Sequence, residues 1–523
     1  MATQATEQKQ PQTADGSSQS SPLKENLDDN VKLIRDSLGN SLDLIIRYFQ
    51  TVNAGPRVAA VYIDGLTDKE IVNEFLSHAM SFQTVHEEDQ KLSTGQDVYK
   101  YMKENALNPG KGESVTTMSG LFEALLSGNT IVLIEDMAEA ISGNTSGGEV
   151  RPVSEAGTQV SIRGSKESFT ETIGVNISLV RRKIKNPNLW VEPMTLGAVT
   201  QTSVALMYIH GIVNEDNLQK LREKLQEIRV DSVLESGYIE QLIEEKGYSP
   251  FPTLFNTERP DSVAGNILDG RIAVFVDGTP FVLVAPTTFF MFFHTVEDYY
   301  QRFDISTMIR LLRFMCLLIS MFGPAIFVAA LNFHQEMIPT PLLINLASQR
   351  EGVPFPAFVE ALMMEVTFEI IREAGIRLPS QIGQTVSIIG GLVLGQAAVQ
   401  AGIVSPAMVI VVSLTGICSF TTPAFNMALS VRLLRFAIVF VAAFMGLYGI
   451  AILALILIAH LCSLRSLGVP YMSPMAPFSS SDQKDTFIRS PIHFMKIRPR
   501  LEKSISTVRK KTDKGKRANS NES

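Results

Sequence analysis

At 523 residues the chain is long enough for about three domains of ordinary size, and a net charge of −7 argues against a generally basic, nucleic-acid-binding protein. Its three cysteines, Cys316, Cys418 and Cys462, sit in apolar runs at a spacing that fits neither a zinc site nor a disulfide framework, so small buried thiols are expected. Charged residues make up 19%, an average over a mixed first half and a later half that carries nearly all the long apolar runs.

Residues 1–26 show neither the basic n-region nor the apolar h-region of a secretory signal, and their Gln, Ser, Thr and Ala content cannot build a core. A disordered tail is expected there, with the soluble half in the cytoplasm. From Leu27, apolar residues recur at helical spacing through Val31, Ile34, Leu38, Leu42, Ile45 and Ile46. Arg57 to Ile63 reads as a strand closed by Asp64-Gly65, and Thr67 with Glu70 has the spacing of a capping box opening a helix. A short helix over Ser119–Leu126 and a turn at Gly128-Asn129 lead into a strand at Thr130–Ile134. The same grammar returns: Val204–Gly211 lines up with Val58–Gly65, and Ile272–Gly278 echoes Ile131–Asp136, with Asp277-Gly278 as a hairpin turn.

The expected architecture is an N-terminal cytoplasmic α/β region of two related subdomains, 27–160 and 195–285, joined by a linker helix at 161–194. An α-helical multi-pass membrane domain over 286–475 and a basic cytoplasmic tail over 476–523 follow. At the linker helix's end, Arg181-Arg182-Lys183 suit the helix dipole, with an anionic-lipid or partner contact as the alternative. No dinucleotide or phosphate loop, HExxH or nucleophile elbow occurs, and Asp64, Asp136 and Asp277 at strand ends read as turn chemistry before ligand sites. No catalytic role, cofactor or metal site is expected.

In the membrane half, the aromatic stretch 281–294 is too short to span and reads as re-entrant or interfacial. Spans are expected at about 309–333, 383–404, 406–428 and 436–464, with Ser405-Pro406 dividing the two central helices. Four crossings put the soluble region and the Lys/Arg-rich tail on one side, but leave Arg432 and Arg435 outside, against the positive-inside rule. The helix at 355–371 holds Glu360, Glu365 and Glu369; either these form a solvated face, or they make a cation-attracting vestibule beside a pore. Within 383–404, Gly391, Gly395 and Ala398 form a small-residue packing stripe. Gln381, Thr385, Ile388, Leu392 and Gln396 share another face, the candidate pore wall; interhelical hydrogen bonding is the alternative for its polar members.

Several phrases in order carry a family resemblance: Ile162-Arg163-Gly164 with Lys166–Glu171, Arg181–Leu189, Thr257–Asp261, Val276–Phe281, Glu297–Tyr300, Phe368–Pro379 and Gly395–Val399. Together they resemble the A subunit of the GerA-type germinant receptors of endospore-forming bacteria. The chain departs from the family phrase at Ser165, where proline is expected, and at Ser168, where glycine is. The resemblance implies a non-enzymatic subunit in the spore inner membrane, partnered by a transporter-like B subunit and a lipoprotein C subunit. It further implies homo-oligomerisation into a ligand-gated channel for monovalent cations, embedded in membrane lipid and free of nucleic acid. A non-pore scaffold or regulatory subunit of a transporter-like complex is the alternative. A transporter in its own right lacks the duplicated broken-helix pattern.

Overall fold

The computed structural model describes residues 21–50, 55–79, 94–105, 112–147, 157, 159–245, 247–378, 390–479 and 482–495. Two α/β units open the chain. The first comprises α1 (Leu27–Ser37), β1 (Leu44–Gln50), β2 (Arg57–Ile63), α2 (Lys69–Ala79), α3 (Gly95–Asn105), β3 (Gly112–Val115), α4 (Met118–Leu126), β4 (Thr130–Ile134) and β5 (Ala140–Gly143). The second repeats this order with α5 (Ile173–Lys183), β6 (Leu189–Leu196), β7 (Thr202–Ile209), α6 (Glu215–Gln226), α7 (Ser236–Ile243), β8 (Phe255–Thr257), α8 (Pro260–Leu268), β9 (Ile272–Val276) and β10 (Val282–Ala285).

Both sheets are antiparallel and share one strand order, β1-β2-β4-β5-β3 and β6-β7-β9-β10-β8. The strands matched in sequence, β2 with β7 and β4 with β9, are buried on both faces along most of their length, which is why they read as unbroken apolar runs. Helix α5 and strand β6, expected as a linker, are the first helix and edge strand of the second unit. The helical pattern read through Ile46 stops at Ser37, because Gly39 and Asn40 take left-handed conformations and the chain leaves as β1. Gly39 also lies flat against Trp190, where an added Cβ would sit 2.1 Å from the ring. The cap of α2 is Asp68, whose carboxylate accepts from the Glu70 and Ile71 amides; Thr67 bonds the Ile63 carbonyl instead.

The units are clasped together at the end of α5. Arg181, 1% exposed, donates to both Asp43 oxygens at 2.5 and 2.9 Å and to the Leu189 carbonyl. Arg182 reaches the carbonyls of Gly65 and Gly147, and Lys183 pairs with Glu167. The basic run therefore serves protein contacts rather than a lipid surface.

The stretch 281–294 is not a membrane re-entrant. Its first part is the internal strand β10, and Phe289–Phe293 is a buried 3-10 turn wedged between the second sheet and the helices beyond. These are α9 (Glu297–Tyr300), α10 (Phe303–Asn332), α11 (Thr340–Arg350) and α12 (Ala357–Arg377). A π-helical turn at Gly390–Leu394 then runs into α13 (Gly395–Gln400), followed by α14 (Pro406–Ser419) and α15 (Phe425–Ser463). Ser405 caps α14 with Pro406 in its first turn, as its sequence requires. That helix ends at Ser419 rather than 428, because Pro423 disfavours helix at Thr422 and the chain restarts at Phe425. Arg432 and Arg435 thus lie inside a helix, not before one.

Among the described residues, α10 and α15 are long and apolar enough to cross a membrane. Helix α15 is not straight. Gly446 has φ 59° and ψ −145°, a conformation open to glycine alone. A Cβ on Gly449 would lie 2.7 Å from Val441 Cγ1, although residues eight apart in one helix are separated by about 12 Å. Asn426 bonds Glu240 and His460 meets Ser249, so both ends touch the second α/β unit. In a straight helix they would be about 51 Å apart, while residues 240 and 249 lie at most about 32 Å apart. Helix α15 is a hairpin with arms 425–445 and 447–463, folded at Gly446 against Phe333 and His334 at the far end of α10.

Candidate functional site

The helices form a bundle whose directions follow from their contacts. Helix α10 leaves the second unit and ends beside Gly446. Helix α14 runs against it, Thr415 opposite Gly323 and Cys418 beside Cys316. Helix α12 runs parallel to α14, Glu360 at Ser405 and Phe368 against Gly416. The first arm of α15 runs antiparallel to α12, pairing Arg435 with Glu365 and Arg432 with Glu369 at 2.7 and 2.9 Å. The segment 390–402 climbs back from Ile371 to Gly352.

The three acids of the expected vestibule are therefore engaged by protein. Glu360 is fully buried, bonded by Arg350, the Ser405 amide and the Ser405 hydroxyl. Glu365 is 1% exposed against Arg435; Glu369 keeps partial access to water beside Arg432. Burying a carboxylate requires such a partner, and two of the partners come from the arginines that the four-span reading placed awkwardly.

Of the candidate pore wall, Gln381, Thr385 and Ile388 lie outside the described residues. Leu392 falls in the π-helical turn, and Gln396 is exposed on α13. Of the packing stripe, Gly395 faces α14, where an added Cβ would lie 3.9 Å from Val409; Ala398 is half-buried and Gly391 is exposed. The strand-end acids serve local structure: Asp277 accepts from the Ile173 amide at the start of α5, Asp64 pairs with Lys69, and Asp136 turns the chain at positive φ.

Sequence reasoning missed the joint between the second unit and the bundle. Asp298 of α9 receives Arg310 and Arg313 of α10 at 3.1 and 2.8 Å, and Arg310 also bonds Asp485 at 2.8 Å. Asp485 belongs to the C-terminal segment, which folds back after α15 instead of hanging free. Ser466 and Tyr471 bond the carbonyls of Thr253 and Pro252, and Arg489 holds those of Tyr299 and Gln301. Residues 496–523 of the expected basic tail lie outside the described residues.

Burial works against the Asp298 carboxylate, yet the Arg313 and Arg310 guanidiniums hold it below its usual range. Burial, then Arg310, lowers His294 to about 4, so the imidazole is neutral where it meets the Thr486 carbonyl. Burial and the Asp485 carboxylate, which accepts a hydrogen bond from its hydroxyl, keep Tyr299 un-ionised. A cavity of about 470 Å³ opens here, walled by α8, α9 and the returning segment. The signal was present but unpaired in sequence: Glu297–Tyr300, Thr257–Asp261 and Arg310 meet at this point, with Tyr300 donating to Asp261 and Arg259 gripping that same carboxylate.

Fold and joint define a membrane-associated protein in which a duplicated α/β region is bolted to a helical bundle. The description Bacillus/Clostridium GerA spore germination protein matches residues 32–501, and the chain belongs to that family. It is 50% identical over 489 residues to spore germination protein KA of Bacillus subtilis (strain 168), covering 92% of this chain and 88% of that one. It is 43% identical over 481 residues to the uncharacterized membrane protein YfkQ of the same organism, covering 92% of each. Among solved structures, the N-terminal domain of the A subunit of the Bacillus megaterium spore germinant receptor GerK3 is 41% identical, covering 52% of this chain and 98% of that one, with a TM-score of 0.40.

Proposed function

We propose that this chain is the A subunit of a nutrient germinant receptor of bacterial spores, which oligomerises in the spore inner membrane into a ligand-gated channel for monovalent cations. Family membership and the relatives' names support the germination role. The observation that carries the pore is the open face of the segment after Gly390: Val393, Leu394, Gln396 and Gln400 are exposed in the single chain, two glutamines one turn apart in a run without charge. Amides facing lipid are costly, whereas neighbouring copies around a water path would satisfy them. Gln381, Thr385, Ile388, Leu392 and Gln396 are the proposed wall, with Ile388 and Leu392 as its apolar constriction. A transporter-like B subunit and a lipoprotein C subunit are its expected partners.

The proposed topology has six transits rather than four: α10 outward, α12 inward, the span expected at 383–404 outward, α14 inward, then the two arms of α15 outward and back. The soluble units and the C-terminal segment share the inner side, and Arg432 and Arg435 enter from it, in keeping with the positive-inside rule. Exchanging Ile388 or Leu392 for Ala is expected to make spores lose cations without nutrient. Unchanged flux in both variants would remove these residues from the pore.

A further inference from the structure

The interface between α12 and the first arm of α15 is a polar seam with several unsatisfied groups among the described residues. Glu365 and Glu369 each use one carboxylate oxygen in their arginine pair; Oε1 of both is buried without a hydrogen-bond partner among the described residues. The same holds for Nε and Nη2 of Arg435 and for Nη2 of Arg432. Arg372, one turn beyond Glu369, stacks its guanidinium 5.1 Å from the centre of the Phe420 ring, and its Nε and Nη1 have no hydrogen-bond partner among the described residues. A fully connected network would lock two helices together, but a half-connected one is worse than an apolar contact, because each buried unpaired group forfeits its hydration. Glu365 and Arg435, each 1% exposed, are shut off from water at this seam, so separating the helices would hydrate them.

The neighbours say what such a separation would move. The turn at Gly390 rests directly on α12, where a Cβ would lie 3.2 Å from Ile371. Phe368 of α12 fills the gap left by Gly416 in α14, where a Cβ would lie 2.5 Å from its ring. A shift of α12 away from α15 therefore acts on the proposed pore segment through contacts with no slack.

We propose that the α12–α15 seam is the moving interface of the chain: closed, it carries two single-toothed ion pairs and unpaired polar atoms, and opening hydrates them and displaces the Gly390–Gln400 segment. This rests on the channel reading. The seam thereby sets how readily the receptor opens. Its polar groups lower the stability of the closed form without specifying a ligand.

The test is a pair of variants in the full chain. Glu365→Leu with Arg435→Met replaces the first ion pair by apolar side chains of similar size, which commonly stabilises a buried contact. The purified protein is expected to melt several degrees higher, and spores carrying it to need roughly tenfold more nutrient for half-maximal germination. Arg435→Met alone strands Glu365 and is expected to lower the melting temperature and produce cation loss without nutrient. A double variant that melts lower, or one that melts higher while nutrient response stays at the wild-type value, overturns the seam. Neither result touches the channel reading, which falls separately if the Ile388 and Leu392 variants leave ion flux unchanged.

Discussion

Replacing Arg181 by Met tests whether the two α/β units act as one body. The side chain is 1% exposed and Asp43 is 7% exposed, so the substitution leaves a carboxylate buried without its cation. Breaking a buried pair in this way costs about 3–5 kcal/mol, and losing the bond to the Leu189 carbonyl adds about 1 kcal/mol. For a unit of this size each kcal/mol lowers the melting temperature by about 2–4 °C, so a fall of roughly 8–24 °C is expected by calorimetry on the purified full chain. Adding Asp43→Asn removes the stranded charge and should recover more than half of the loss. The exposed Arg57 pairs with Asp28 and Glu135 serve as control: Arg57→Met should leave the transition in place. A shift under about 2 °C for Arg181→Met, or a double variant no more stable than the single one, would refute the clasp.

Three further outcomes rest on the same geometry. Cys462 is exposed on the returning arm of α15, so a membrane-impermeant thiol reagent should reach it only from the side of the soluble units; labelling from the opposite side would mean a straight final helix. Gly446→Ala forces a side chain into a left-handed position with His334 and Phe333 about 3 Å away, and should destabilise the bundle by about 1–3 kcal/mol, read as lost yield and a lower melting temperature; unchanged folding would contradict the hairpin. Burial and the Glu244 carboxylate raise Glu240 to about 7 despite the hydrogen bond from Asn426. The fold thus favours the protonated acid: stability is greatest below its ordinary range and falls as pH rises towards 7, by at most roughly 3 kcal/mol. Glu240→Gln should flatten that difference, and parallel pH profiles for variant and wild type would show that Glu240 does not contribute.

The duplicated α/β region was readable because its buried strands repeat as matched apolar runs, Val58–Ile63 with Val204–Ile209 and Ile131–Ile134 with Ile272–Val276. Its edges were harder. Strand β6 alternates buried with open positions and contains Pro193, and β1 is open along its outer half, so neither announces itself as a strand. In the bundle, hydropathy located the apolar segments but could not count them. One glycine at 446, indistinguishable in sequence from Gly449, reverses the final helix. Pairing across the bundle was illegible for a related reason: Glu365 and Arg435 are 70 residues apart, as Arg310 and Asp485 are 175 apart, and nothing in local spacing links them. Two of the family phrases are structural, since Thr257–Asp261 and Glu297–Tyr300 meet at the joint rather than at the proposed pore wall.

The central claim is a gated cation pathway through copies of this chain. The most direct measurement is cation efflux from liposomes holding the receptor complex reconstituted with wild-type chain or with Leu392→Ala. Efflux that requires nutrient in the wild type and proceeds without it in the variant is the predicted result. Tight liposomes in every case, with nutrient present and all subunits incorporated, would contradict the account.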